Sequence, residues 1–399
     1  MTILGDDLTM STDYSTARRA RGGNAADLAA GLQEARRRTL DLLEAYAAKL
    51  GDALSIPYSP QLNPPRWEVG HVAWFHDLWI ARNPQRHLGL AADPECARPP
   101  GRLADADTLY NSSLVKHTAR WHLALPDLAA TRNYLAASLG ETLALLAHEP
   151  EDADHLYFYR LSLFHEDMHA EAATYMAQAL DIPLPAHLRP WERSLPAAID
   201  IALPATRWRL GHDADAFAFD NELLAHDVAV DAFAIDSVAV TWRRFLPAVE
   251  AGAVTMPRYL RQENGQWQAL RFGSWEPLNL DAAAVHVTWD EAQSWCAWAG
   301  RRLPTEAEWE HAVLSASTFS WGDVWEWTSS RFAPFKGFVA HPYRDYSRFG
   351  FEEHRYVLKG ASRATDLRMA HPKYRNYFTA ERNDIHAGFR SCAQSDASR

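Results

Sequence analysis

The texture of this chain changes near residue 182, and that change constrains the fold more than any other feature. Residues 26–182 are written in long stretches of good helix formers with apolar positions at helical spacing. The stretch "IPLPAHLRPWERSLPAAIDIALPA" then carries five prolines and reads as a linker over 183–200. From 201 to 399 the segments are short and rich in glycine and aromatic residues. Only brief helices such as "TWDEAQSWCAWAG" and "TEAEWEHAVL" are suggested there. One chain with two such textures predicts an α+β multidomain protein: a helical bundle followed by a compact domain with little regular structure.

Four helices are expected in the first part. They are "AADLAAGLQEARRRTLDLLEAYAAKL", "RWEVGHVAWFHDLWIARN" behind the helix-starting "NPP", "LPDLAATRNYLAASLGETLALLAHE" with Asp127 near its start, and "DADHLYFYRLSLFHEDMHAEAATYMAQALDI". A four-helix bundle with a long connection between the second and third helices follows. Residues 1–25 contain "ARRARGG" without an apolar run behind it, and read as a flexible leader. The net charge of −11 argues against a nucleic-acid partner. No apolar run is long enough to span a membrane. Three scattered cysteines, with no CxxC, suit a reducing compartment, and the cytoplasm is the expected location.

"FHEDMHAEA" places His165 and His169 four residues apart, on one helix face and within reach of a single point. Imidazole is a common ligand of iron, zinc and copper. Taken alone, an HxxxH pair is more often two ordinary helix histidines than a metal site. A third ligand would come from the second helix, which offers His71 and His76. These lie about 140° apart around the helix, so at most one can share the site. Composition does not choose between them.

The blocks "WEVGHVAWF" and "FHEDMHAEA" resemble the ergothioneine-type sulfoxide synthases. So do "VHVTWDEAQSWCAWAGRRLPTEAEWEHA", "GDVWEWT" and "RNDIHAGFRSC". That family joins a DinB-like helical bundle to a domain of the formylglycine-generating-enzyme type, which is C-type-lectin-like. The resemblance implies Fe(II) held by His71, His165 and His169, with His76 at most supporting them. The implied reaction joins a chalcogen, with dioxygen, to C2 of the imidazole of hercynine, which is Nα-trimethylhistidine. Formylglycine formation itself is not expected. It needs a reactive cysteine pair, and "YVLKGASRATDLRMAHPKYRNYF" contains no cysteine.

Several positions depart from the family pattern. Met168 stands where the family commonly has a substrate-contacting glutamine. Phe335 falls where one branch has its active-site tyrosine. Tyr343, Tyr346, Tyr374 and Tyr377 are the nearby phenols, and Tyr343, Tyr374 and Tyr377 are taken as catalytic candidates. Tyr377 and Phe378 replace a substrate-contacting Trp-Asp pair and are expected to hold the trimethylammonium by cation–π contact. Asn111, Ser112 and Ser113 of "LYNSSLVKHTARWH" suit the hydroxyls of a sugar, with Arg120 the basic candidate beside them. The branch most similar by these signs is selenoneine synthase, so the expected donor is a selenosugar. The alternative is an ergothioneine-pathway enzyme using cysteine or γ-glutamylcysteine. Two other classes compete: a zinc-dependent thiol transferase on the bundle, and a non-catalytic carbohydrate- or ligand-binding module.

Overall fold

The computed structural model describes residues 14–394. Helix α1 (Ser15–Gly22) precedes α2 (Ala25–Leu50), which starts in a reciprocal capping box between Asn24 and Asp27. Helix α3 (Pro65–His76) begins with proline at its first position and runs on into a π-helical turn, Asp77–Ala81. A short α4 (Ala106–Tyr110) lies in the long connection. Helix α5 (Leu128–Leu146) is capped by Asp127, and α6 (Ala153–Ala179) by Asp152. Helices α2 and α6 pack together, as do α3 and α5, and this makes the expected bundle. The leader expectation fails for residues 15–22. They form α1, and Arg21 makes a two-pronged buried ion pair with Glu222 at 2.6 and 2.9 Å. Residues 1–13 lie outside the described residues.

The C-terminal part is built from short strands around small helices: α7 (Trp242–Glu250), α8 (Trp289–Trp298), α9 (Glu306–Ser315) and α10 (Asp345–Glu352). One four-stranded sheet orders Asn376–Phe378, Tyr356–Gly360, Trp325–Arg331 and Ala387–Gly388 side by side. A second four-stranded sheet contains Asp200–Leu203 and Phe233–Asp236. No helix among the described residues is long and apolar enough to cross a membrane.

Helix α6 carries three carboxylates near its two histidines, and each goes to a different neighbour. Glu166 turns into the bundle and takes Arg36 at 2.7 and 3.0 Å and Thr39 at 2.8 Å. Asp167 turns to the C-terminal domain and accepts both prongs of Arg368, at 2.9 and 2.8 Å. Glu171 accepts from Trp325 Nε1 at 2.6 Å and from the hydroxyls of Ser362 and Thr365. Two turns further on, Gln178 bonds the Leu270 carbonyl and the Phe272 amide. Helix α6 is therefore the shared spine of both halves, and it places its histidines where they meet.

Candidate metal centre

His71 from α3 joins His165 and His169 from α6. Nε2 of His71 and Nε2 of His169 each lie 3.2 Å from Nε2 of His165, and the three ligand atoms fall within 4.8 Å of one another. The other ring nitrogens are anchored. His71 Nδ1 is 2.7 Å from the Tyr110 carbonyl, which can only accept, so its proton sits on Nδ1 and its Nε2 carries a lone pair. His169 Nδ1 is 2.5 Å from Glu68 Oε2 and is fixed in the same way. His165 Nδ1 has no hydrogen-bond partner among the described residues.

Two imidazole lone pairs are thus turned toward Nε2 of His165, a geometry that a shared cation would satisfy. The set fits one chemically: three nitrogen donors, two of them oriented by an acceptor behind the ring. Burial, then the charge of His169, pushes His71 down to about 3, and burial pushes His165 well below its ordinary value. Both rings are thus neutral, the form that ligates. Burial alone would raise Glu68. The charge and hydrogen bond of His169, with His71 and Asn63, reverse this and leave its pKa at about 2.

Stacked rings hold the ligands in place. Trp67 lies 4.8 Å from His71 at 10°, and Phe75 lies 3.6 Å from His165 at 9°. His76 belongs elsewhere. It is fully buried, with Nε2 3.2 Å from Glu166 and Nδ1 3.2 Å from Thr142, so it braces the back of α6.

The C-terminal domain faces this centre with Tyr343, whose ring is 5.0 Å from Phe75 and 6.1 Å from His165. Burial, then the charge of Asp345, pushes its phenol up to about 12, against a hydrogen bond with Ser112. Met168 accepts a hydrogen bond from Tyr374 at 3.5 Å, and the Tyr374 hydroxyl is 2.9 Å from that of Tyr346.

Other expected residues lie differently. Tyr377 is stacked on Phe332 at 3.9 Å, packs where Gly350 has no side chain, and donates a hydrogen bond from its hydroxyl to the Tyr346 carbonyl. One face of its ring is taken up by this internal packing. The ring of Phe378 already has a resident cation, Arg382, 4.8 Å away. Phe335 packs on His226 at 4.7 Å and under Arg375 at 4.1 Å, within its own domain.

Asn111, Ser112 and Ser113 line a cleft of about 580 Å³ together with Trp79, Tyr343 and Asp345. Arg120 is not a solvated surface arginine. It lies 3.9 Å over Trp67 and donates to Asn63 at 2.8 Å.

Sequence reasoning missed Glu68 and Glu166. The signal for Glu68 was present: in "WEVGH" it precedes His71 by one helical turn. Glu166 gave no such sign, because its partners Arg36 and Thr39 are over a hundred residues away.

Comparisons with known proteins agree with this architecture. The model of the sulfatase-modifying factor enzyme 1-like domain matches residues 191–323 and 320–395. Hercynine oxygenase of Mycobacterium tuberculosis is 30% identical over 433 aligned positions, covering 91% of this chain and 97% of that protein. Hercynine oxygenase of Mycolicibacterium thermoresistibile is 31% identical, covering 92% and 94%. The formylglycine-generating enzyme of Thermomonospora curvata is 32% identical over 157 positions, but these cover only 31% of this chain. The chain therefore belongs to the hercynine oxygenase family of ergothioneine-type sulfoxide synthases, and it carries a sulfatase-modifying-factor-type domain in its C-terminal half.

Proposed function

We propose that this protein is an iron-dependent, dioxygen-using enzyme that attaches a chalcogen to C2 of the hercynine imidazole. The observation that carries the reading is the convergence of three imidazole Nε2 atoms beside a phenol from the other domain. Fe(II), when bound by His71, His165 and His169, supplies the oxidative chemistry that bond formation at an unactivated imidazole carbon requires. The chain does the rest. Glu68 and the Tyr110 carbonyl hold two ligand rings in the binding tautomer. Phe75 and Trp79 keep water from one side. Tyr343 keeps its proton at neutral pH, and its ring stands 6.1 Å from that of His165. Met168, held by Tyr374, offers a soft, apolar contact to the substrate ring.

The donor we propose is a selenosugar. In the cleft beside Tyr343, Arg98 gives its hydrogen bonds to the carbonyls of Leu78, Pro94 and Cys96. Arg344 faces Glu95 at 3.7 Å. Arg348 lines the same cleft and acts on Asp345, so the selenosugar reading rests on the neutral partners the cleft offers, and a carboxylate donor would turn to Arg348. Asn111 and Ser112 supply polar partners. One motive for selenium, a missing active-site phenol, loses force because Tyr343 stands at the centre. The thiol reading therefore stays as the second one.

The test is anaerobic loading with Fe(II), then oxygen, hercynine and equal concentrations of a selenosugar and γ-glutamylcysteine. Products are read by mass spectrometry. A kcat/KM ratio in favour of the thiol moves the protein to the ergothioneine pathway. Absence of any hercynine product with every donor refutes the reaction class. Tyr343→Phe is expected to keep its iron and lose about 100-fold in rate.

A further inference from the structure

A second cavity lies beneath the linker, remote from the three histidines. It leaves about 50 Å³ of free space, room for a ligand of a few atoms. Four polar side chains in its wall have an atom without any hydrogen-bond partner: Trp242 Nε1, Tyr259 OH, His286 Nδ1 and His386 Nδ1. The four residues are 2%, 6%, 8% and 7% exposed. Stranding one buried polar group costs about 1–3 kcal/mol, and four around one cavity call for an occupant. The rings are gathered closely. Tyr259 and His286 are 4.8 Å apart, as are His286 and His386. His286 also holds a left-handed backbone, with φ 61°, which an L-residue adopts at a cost.

The donors and charges specify the kind of occupant. An indole N–H can only donate, a phenol can donate, and a neutral imidazole donates through its choice of tautomer. Asp323 in the same wall is taken by Arg193 at 2.9 Å and by Arg363 at 2.5 Å, and Glu192 is paired with Arg271. Three guanidinium groups thus stand against two carboxylates. The charged groups acting on His286 are Arg271 and Arg258. Those acting on His386 are Arg271 and Arg38, with Asp384 the one opposing charge. Burial and these arginines hold both imidazoles neutral. The same positive field repels a metal cation and attracts an anion.

We propose that this cavity binds a small monoanion, a halide or a short carboxylate, through Tyr259, Trp242 and His386. The site is independent of the iron reading. It adjoins the joint where Gln178 of α6 bonds Leu270 and Phe272, so an occupied site should strengthen the docking of the two halves.

The full chain is titrated with sodium bromide, sodium formate and, at matched ionic strength, sodium sulfate, with heat of binding and unfolding midpoint as readouts. Saturable binding of bromide or formate, absent with sulfate, is expected, and the stronger of the two arms identifies halide or carboxylate. Tyr259→Phe keeps the ring and removes one donor, and should weaken binding about ten-fold with iron content unchanged. His386→Ala should act likewise. A bromide-soaked crystal should show an anomalous peak beside Tyr259 and Trp242. The proposal is overturned by a response no larger than that to sulfate, by affinity unchanged in both variants, or by water in the cavity with bromide absent.

Discussion

The two walls of the candidate metal centre are made in different ways. The bundle wall takes its ligands from two helices, with His165 and His169 one turn apart on a single face. The facing wall takes Tyr343 from just before α10, Tyr374 from the loop before a three-residue strand, and Ser112 from the connection after α4. On the first wall, periodicity alone brings two ligands together. On the second, nothing local says which side chain arrives. A site assembled this way can hold one chemistry constant at the metal while the substrate contacts vary.

Breaking the bundle wall should have the largest effect. His165→Ala removes the central ligand, and both iron content by mass spectrometry and turnover should fall to background. Retained iron would show that His71 and His169 recruit another group. Next comes the bridge between the walls. Arg368→Ala leaves Asp167 buried without its partner, and should cost about 3–5 kcal/mol in denaturant unfolding. A loss below about 1 kcal/mol would mean that Asp167, already pushed up to about 7 by burial and then Asp366, takes up a proton instead. Glu68→Gln sharpens the comparison within the bundle wall. It keeps the shape but weakens the anchor of His169, and should lower iron affinity about 10–100-fold. The smallest effect is expected behind the facing wall, away from Tyr343. Tyr377→Phe loses only an internal hydrogen bond, so KM for hercynine should change less than about two-fold. A larger rise in KM would restore Tyr377 to the substrate surface.

The legible part of the molecule is the part set by local rules. Helix starts at Asn24, Asp127 and Asp152 follow capping chemistry that is written in the sequence. Choosing His71 over His76 needed more than spacing. The family resemblance made that choice, and the structure places His76 against Glu166 instead. Tyr343, Tyr374 and Tyr377 could not be ranked from sequence, because their positions depend on loops packed against a distant helix. Only the structure separates Tyr343, 6.1 Å from a ligand ring, from Tyr377, stacked on Phe332. Phe335 packs on His226 and Arg375, a direction that a motif match in a loop could not give.

Helix α6 has a further consequence for how such a chain can change over generations. Its successive residues face the three-histidine cluster, the bundle and the other domain in rotation: His165, then Glu166, then Asp167. Inserting or deleting one residue ahead of His165 would turn everything beyond it by about 100°. Ligand, bundle ion pair and domain bridge would all be lost in a single event. Length variation is therefore closed to this helix and open to the loops opposite. New substrates would be reached by redrawing the segments around residues 111–120 and 335–350, with the register of α6 left untouched.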